Sequence, residues 1–307
     1  MRIGTGKEYL WHGLTWATGK PALVLAETAD SHLAGIDVMG LDLGFRLASA
    51  ARFCTGRYGF AGTHQVEPLP CPWRAEADGG WQCSRCLGQD EFRFAHQFHH
   101  GGHSPAALIA YMSQPHWLYI ATFAHGESKV GTVAAARRTS RLNEQAPIHA
   151  TYLAEAPDGR AVRQLEDAVS RELGMSQAVR GTAKLVGLLQ PDHNRAQVAH
   201  EHAVQDAAVV LATLGISGTR EQWRPPAEGA ALRSSQPAGG RVVYPHDLRQ
   251  GEHRFHIESC AGTLVLARLS ADADALRYVL DLNALRGRRV VFGDFRSPKA
   301  TVQASLF

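Results

Sequence analysis

The sequence predicts an α+β fold in which a small mixed unit lies between two β-rich parts. Three observations lead to this class: short β-branched or aromatic segments near both ends, a loop-rich stretch with four cysteines, and alternating strand and helix patterns over residues 106–190. The chain has 307 residues, 45% apolar and 20% charged, a composition that excludes a disordered or fibrous protein. We therefore divide it into a β-rich part with cysteine-rich loops (1–105), a compact core (106–190) and a part with a helix, a linker and further strands (191–307).

Short strands are predicted in both outer parts. Residues 10–16, 22–26 and 41–43 are apolar segments bounded by glycine or proline, and residues 263–267 and 280–282 repeat the pattern of the last two. This repetition indicates related β units that pack on each other, with a coincidence between apolar strands as the open alternative. Residues 225–240, rich in proline, alanine and glycine, are predicted to be a linker or long loop.

Four of the five cysteines lie in the loop-rich stretch: Cys54, Cys71, Cys83 and Cys86. The gaps between them are sixteen, eleven and two residues, and the last gap allows a tight turn to present two thiolates to one ion. Four thiolates leave no open coordination position, so we predict a structural Zn²⁺ site rather than a catalytic one. The alternative is that these are ordinary thiols without a metal.

Histidines cluster just after the cysteines, at His96, His99, His100 and His103. The pairs His96 with His100 and His99 with His103 have the i,i+4 spacing of a helical metal site, but two glycines interrupt any helix before His103. Surface histidines, contacts to phosphate, and replacement of one cysteine in the zinc set stay open as alternatives.

The compact core has the predicted order β-β-α-β-α. Strands are expected over residues 117–123, 128–133 and 149–154, and helices over 134–144 and 160–173. A short helix over residues 106–112 precedes this series, and a longer helix over 194–214 follows it.

Two tripeptides in the first two core strands, Leu118-Tyr119-Ile120 and Lys129-Val130-Gly131, resemble the two motifs of the GIY-YIG nuclease superfamily. The resemblance covers residues 115–180 and extends to the element order. Most of the chain also resembles an uncharacterised bacterial branch in which a four-cysteine segment precedes the core. That branch reads Lys-Val-Gly in the second strand, followed by residues that match Arg137, Arg141, Glu144 and Gln145.

The resemblance implies a phosphodiester-cleaving site. It places Tyr119 near the nucleophile, Arg137 beside the phosphate, and Glu166 at a catalytic Mg²⁺ or Mn²⁺. We add Lys129, which could act as a base or electrostatic donor beside the strand, and Arg141, a neighbour that could substitute for Arg137, to the catalytic set. To substrate binding we assign Gly131, Arg138, Glu144 and Gln145. Each of these residues also has a purely structural alternative. Tyr119 would be a core tyrosine, Lys129 a surface lysine, and the arginines part of a solvated helix face. Residues 144 and 145 would cap the helix end, and Glu166 would form a surface pair with Arg163 or Arg171.

The chain departs from the family pattern at two motif positions. Val130 stands where the second motif has a tyrosine, and Trp117 stands where the first motif has its glycine. The family's histidine beyond the helix arginine has no clear match either. Loss of the second tyrosine removes one route for proton transfer.

These observations predict a metal-dependent, nuclease-like hydrolase that acts on nucleic-acid phosphodiesters. The alternatives are a zinc-containing protein that binds nucleic acid without cleaving it, and an enzyme acting on a small metabolite in the same cleft. A net charge of +3 and a pI of 8.6 permit an anionic partner without requiring one. With no apolar run of membrane-spanning length and no secretory signal in the sequence, we expect a cytoplasmic protein without a membrane partner; the oligomeric state stays open.

Overall fold

Strands account for much of the chain in both outer parts and in the core. The computed structural model describes residues 3–62, 65–102, 104–235, 240–270 and 275–299. Within these ranges the strands are β1 (Glu8–Thr15), β2 (Ala22–Glu27), β3 (Leu33–Asp37), β4 (Asp42–Leu47), β5 (Arg57–Ala61), β6 (Gln65–Leu69), β7 (His116–Thr122), β8 (Ser128–Ala134), β9 (His149–Ala156), β10 (Glu221–Gln222), β11 (Arg241–Val243), β12 (Glu252–Ala261), β13 (Leu264–Arg268), β14 (Arg277–Asp281) and β15 (Arg289–Phe292).

Helices are concentrated between β6 and β11. In chain order the α-helices are α1 (Ser84–Gln89), α2 (Ala106–Met112), α3 (Arg138–Gln145), α4 (Gly159–Leu173), α5 (Gly181–Gly187), α6 (His193–Thr213) and α7 (Ala230–Arg233). Short 3-10 segments cover Glu91–His100, Ala135–Arg137, Ala227–Gly229 and Leu282–Leu285. The fold is thus mixed α+β, as predicted. None of the helices in the described ranges is both long enough and apolar enough to cross a membrane.

One nine-stranded sheet combines strands from both outer parts of the chain. Its order is β11-β14-β13-β12-β4-β15-β1-β2-β3, and β15 lies between β4 and β1, antiparallel to both. Alternate residues of its strands point into one apolar core, where Trp11, Phe45 and Phe255 are fully buried. The first and third predicted parts therefore share a sheet, through pairings that join residues far apart in the sequence.

The compact core contains a four-stranded sheet of order β10-β9-β7-β8. Every residue of its central strand β7 is buried, because helices cover both faces. On one face Leu118, Ile120 and Val130 pack against α4 and α6, and on the other face Tyr119 packs beneath α3. The predicted β-β-α-β-α order is present here. The helix α6, which we assigned to the third part, packs on this sheet.

Three elements differ from the sequence prediction for physical reasons. The stretch 225–240, predicted as a linker or long loop, contains a 3-10 turn and α7, because Leu232 packs into a core cluster with Leu264 and Leu266. The helix expected over residues 134–144 begins only at Arg138, because Ala134 still pairs with His116 in the β7–β8 hairpin and a 3-10 turn follows it. The loop-rich stretch also contains a 3-10 segment, Glu91–His100. Asp90 caps it by accepting a hydrogen bond from Phe92 N at 3.0 Å, and its phenylalanines pack against α2.

The helix α4 carries one predicted site residue and has the boundaries that its sequence signals suggest. Asp158 caps its start by accepting a hydrogen bond from Ala161 N at 2.8 Å, and Gly174 ends it in the left-handed conformation with φ 60°. Val162, Glu166 and Val169 lie on its buried stripe. Glu166 therefore points towards the sheet rather than into solvent.

Candidate functional site

The four predicted cysteines come together in a buried group. Their sulfur atoms all lie within 4.8 Å of one another. Cys54 precedes β5 and Cys71 follows β6, so the hairpin brings these two together. Cys83 lies at the N-cap of α1, and Cys86 lies in its first turn. The backbone N–H of Gly56 donates to the Cys54 sulfur at 3.3 Å. This group is able to hold a metal ion such as zinc.

The chemistry of the donor set fits a soft or borderline divalent cation. Burial raises the pKa of the Cys54 thiol to about 11 and raises that of Cys86 as well. Four thiolates at this separation repel one another unless a cation lies between them, and a metal deprotonates its thiol ligands outright. Because all four side chains are buried, such an ion would have a closed coordination shell.

His99 and His100, the two members of the histidine cluster whose side chains are described, do not join the cysteines. His99 and His100 lie with Asp167 in a separate group whose ligand atoms are within 4.8 Å of one another. His103 and the side chain of His96 lie outside the described residues, so the two helical pairings proposed from the sequence stay untested.

Tyr119 lies in the middle of the core sheet and is 1% exposed. It pairs with Gly131 of β8, and a Cβ atom added at Gly131 would lie 2.5 Å from the tyrosine hydroxyl oxygen, so the ring lies directly across this glycine. The Gln145 side-chain amide donates to the hydroxyl oxygen at 2.7 Å. Burial raises the pKa of Tyr119, although the charge of the adjacent Arg141 opposes this shift. The hydroxyl is therefore neutral and held as an acceptor.

Lys129 is buried on the same side of the hairpin, which contradicts its interpretation as a surface lysine. Its Nζ lies 5.7 Å from the centre of the Tyr119 ring and donates to the Gln177 carbonyl oxygen at 3.3 Å. Burial and, to a smaller extent, the positive charge of Arg141 lower the pKa of Lys129 to about 8, while the charge of Glu166 opposes this shift. A fraction of this amine is consequently neutral near physiological pH.

Glu166 is 3% exposed and accepts a hydrogen bond from Arg163 Nη1 at 2.6 Å. The pairing with Arg163 that we considered is thus present, but it is buried rather than on a solvated face. The pKa of Glu166 is raised because the side chain is buried, and the positive charges of Arg163 and Lys129 offset only part of this shift. Within the described residues, neither metal-capable group includes Glu166. A single carboxylate already paired with a guanidinium does not fit a resident Mg²⁺ or Mn²⁺ ion.

The arginines in α3 and in the 3-10 turn before it divide into two sets. Arg137 and Arg141 both face Glu144, with nitrogen–oxygen distances of 2.7 and 3.7 Å. Arg138 instead stacks on Trp117 and Tyr152, with its guanidinium carbon 4.3 and 4.1 Å from the ring centres, and pairs with Glu221 of β10. Arg138 is therefore separated from the other predicted residues.

Arg137, Arg141 and Arg163 line one cleft, which we call the arginine cleft. Its volume is about 170 Å³, and Tyr111, His116 and Thr132 contribute to its polar wall. Arg141 and Arg163 also contact the residues behind this wall, namely Tyr119 and Glu166. The cleft therefore leads to a buried group, the Tyr119 cluster, composed of Tyr119, Lys129, Gln145 and Glu166.

Sequence reasoning missed three contributors to this region. Arg163 and His116 line the cleft, and Lys184 donates to the Gln145 carbonyl oxygen at 2.9 Å. Burial lowers the pKa of Lys184 to about 8. The i,i+3 spacing of Arg163 and Glu166 is the one signal that pointed to any of them, because it places both side chains on one side of α4.

Comparisons of the chain with protein-family models, with curated proteins and with solved structures found no match. The assignment of function therefore depends on the geometry of the arginine cleft and the residues behind it.

Proposed function

We propose that this protein binds the phosphodiester backbone of nucleic acid at the arginine cleft, while a zinc ion in the four-cysteine group stabilises the fold. The observation that carries the proposal is the convergence of three guanidinium groups, from α3, α4 and the 3-10 turn before α3, on a single cleft of about 170 Å³. Guanidinium groups stay charged at any physiological pH, and their planar donors match phosphate oxygens bidentately.

The charge balance of the region favours an anionic ligand. Arg137 and Arg141 pair with one carboxylate, Glu144, while Arg163 pairs with Glu166, beside which lies the partly charged Lys129. Arg137 and Arg141 share the single carboxylate of Glu144. A phosphate oxygen could therefore bind both arginines without either of them losing its contact with Glu144. A cleft of about 170 Å³ has room for a phosphate group, which suits a contact point along a nucleic-acid strand.

We further propose that the core is a GIY-YIG-like unit. The β-β-α-β-α order and the pairing of Tyr119 with Gly131 on neighbouring strands support this proposal. In this interpretation Gly131 belongs to the second motif because the tyrosine ring of the first motif needs the space above it.

Cleavage of the bound strand is the second candidate function. It is favoured by the position of Lys129, whose lowered pKa suits a general base, beside Tyr119 and Glu166. It is opposed by burial, because Tyr119, Lys129 and Glu166 all lie behind the arginine wall. A substrate would have to displace Arg141 or Arg163 before a reacting water could reach them. Binding without cleavage is therefore the function that the geometry supports best.

Fluorescence anisotropy with labelled single- and double-stranded DNA and RNA tests the binding proposal. We expect affinity that falls with salt, and we expect Arg141→Ala to weaken it for every sequence and to lower the salt slope by about 1. Arg171→Ala removes a solvent-exposed arginine paired with Glu172 and serves as the matched control. Absence of binding, or equal weakening by both variants, would contradict the proposal.

A cleavage assay on the same oligonucleotides, with Mg²⁺ or Mn²⁺ added, separates the two candidate functions. Degradation that is abolished by Glu166→Gln and retained by the control Arg171→Ala establishes the nuclease-like hydrolase. Salt-dependent binding of intact strands by all metal-loaded samples establishes binding alone.

A further inference from the structure

A second group of metal-ligating side chains lies outside the four-cysteine group and the arginine cleft. His99 Nε2 is 2.7 Å from Asp167 Oδ2, and the rings of His99 and His100 lie with their centres 3.9 Å apart. One ligand atom from each of these residues lies within 4.8 Å of the other two. We propose that His99, His100 and Asp167 form a second metal site that binds a divalent cation of the zinc type.

The ligand set selects the class of cation. Two imidazoles and one carboxylate suit zinc and the neighbouring transition metals, whereas Mg²⁺ and Ca²⁺ prefer oxygen ligands alone. Three protein ligands leave one tetrahedral position for water or another small ligand. This site is thus open, in contrast to the closed shell of the four-cysteine group.

The surroundings of the three residues resemble the support that metal ligands receive. Gln177 Nε2 donates to Asp167 Oδ1 at 3.1 Å, which orients the carboxylate towards the histidines. The His99 side chain is 8% exposed and presents Nε2 to Asp167, so this nitrogen and the carboxylate are held side by side before any cation binds.

The site joins two elements that both line the arginine cleft. His99 and His100 end the 3-10 segment that contributes Phe92 and Ala95 to the cleft wall, and Asp167 lies on α4, which contributes Arg163. Gln177, which holds Asp167, also accepts the hydrogen bond of Lys129 through its carbonyl oxygen. A bound cation would consequently fasten the 3-10 segment to α4, whatever ligand the cleft accepts.

Metal content measured by mass spectrometry tests the site directly. The full chain is loaded with excess zinc, dialysed against zinc-free buffer and compared with His100→Ala and Asp167→Asn. Since His100 is exposed and asparagine nearly matches aspartate in size, neither change should disturb folding. His125→Ala is the control, because His125 lies 2.9 Å from Glu127 but belongs to no three-ligand group within the described ranges.

We expect two zinc ions per chain in the wild type and in the control, and one in each site variant. Cobalt substitution then distinguishes the two sites, because only the four-cysteine group gives sulfur-to-metal charge-transfer absorption. A wild type that holds no more zinc than His100→Ala and Asp167→Asn would overturn the proposal.

Discussion

The four-cysteine group and the arginine cleft are both clusters of reactive side chains, but they use burial in opposite ways. All four cysteines are at most 4% exposed, whereas the side chains of Arg137 and Arg141 are 32% and 41% exposed. The sulfur atoms face one another, so a single ion can satisfy them all. The cleft arginines face solvent on one side and the Tyr119 cluster on the other, so they remain available to a larger anion.

This contrast teaches that burial separates structural ligands from binding ligands more clearly than residue type does. A closed shell of thiolates contributes its binding free energy to folding. The half-exposed guanidiniums of Arg137 and Arg141 contribute little to folding, and under the proposed function their hydrogen bonds and charge are available to a ligand. Each of the following changes tests one side of the comparison.

The largest effect is expected at the closed group. Cys83→Ser should remove the bound metal and unfold the loop-rich stretch, because three thiolates and a hydroxyl hold zinc far more weakly. We expect a loss of several kcal/mol, measured as a fall in the thermal midpoint together with loss of zinc. Cys260→Ala is the control, because Cys260 is buried in the nine-stranded sheet away from the group. Equal zinc content in Cys83→Ser and Cys260→Ala would contradict a four-cysteine metal site.

Arg163 combines features of both clusters, because it lines the arginine cleft and also pairs with the buried carboxylate of Glu166. Arg163→Met should cost about 3 kcal/mol at neutral pH by leaving Glu166 without its counter-charge. The folded-state pKa of Glu166 is already raised and would rise further, so acidification protonates it in the folded state first. The penalty relative to wild type should therefore shrink as the pH falls from neutral towards about 5.

Urea unfolding at several pH values measures this penalty. The double variant Arg163→Met with Glu166→Gln should recover most of the lost stability, because it removes both charges. A penalty that is the same at every pH, or that the double variant does not relieve, would show that the pair is not electrostatic in origin.

A smaller effect is expected where Tyr119 crosses Gly131. Gly131→Ala places a methyl group 2.5 Å from the hydroxyl oxygen, so the ring must move away from Gln145. We expect a destabilisation of about 1–3 kcal/mol in chemical unfolding. Gly88→Ala is the matched change beside the cysteines; nothing lies within 4 Å of its added Cβ and it sits in α1, so it should be neutral or slightly stabilising.

The smallest effect is expected at Lys129. Its folded pKa of about 8 lies below the ordinary value of 10.5, so its charge destabilises the folded state at neutral pH. This penalty disappears as the pH rises through that interval. The difference between 8 and 10.5 corresponds to about 3 kcal/mol at pH 7, and loss of the Lys129 contacts with Gln177 and the Tyr119 ring offsets part of it. Lys129→Met should thus be more stable than wild type by about 1 kcal/mol at pH 7, and this advantage should shrink as the pH rises towards 10. The exposed Lys20→Met variant controls for loss of a lysine charge, and a gap that widens with pH would contradict the buried position.

Local signals made part of the molecule predictable from sequence. The cysteine spacing identified the metal-capable group, and the periodicity of residues 106–173 identified the strand and helix order of the core. The cysteine group and the core are both built from elements that are close to one another in the sequence. The nine-stranded sheet was beyond such signals, because the insertion of β15 between β1 and β4 is decided by packing at long range.

Side-chain direction limited the prediction of the candidate site. Arg138 and Arg141 occur in one basic run, and nothing in that run shows that Arg138 stacks on Trp117 while Arg141 reaches Tyr119. The burial of Lys129 was also hidden, because the segment that covers the outer edge of β8, at Ser176, is remote in sequence. Whether these residues bind or cleave nucleic acid stays a prediction.

The position of β15 has a consequence for synthesis on the ribosome. β1 and β4 are translated early, but the strand that joins them is translated after every other strand of this sheet. Until β12 and β15 have been made, both edges of β4 and the β15-facing edge of β1 stay unpaired, and such edges invite pairing with other chains. We expect the core unit, whose strands β7, β8 and β9 are close in sequence, to fold before β15 completes the nine-stranded sheet.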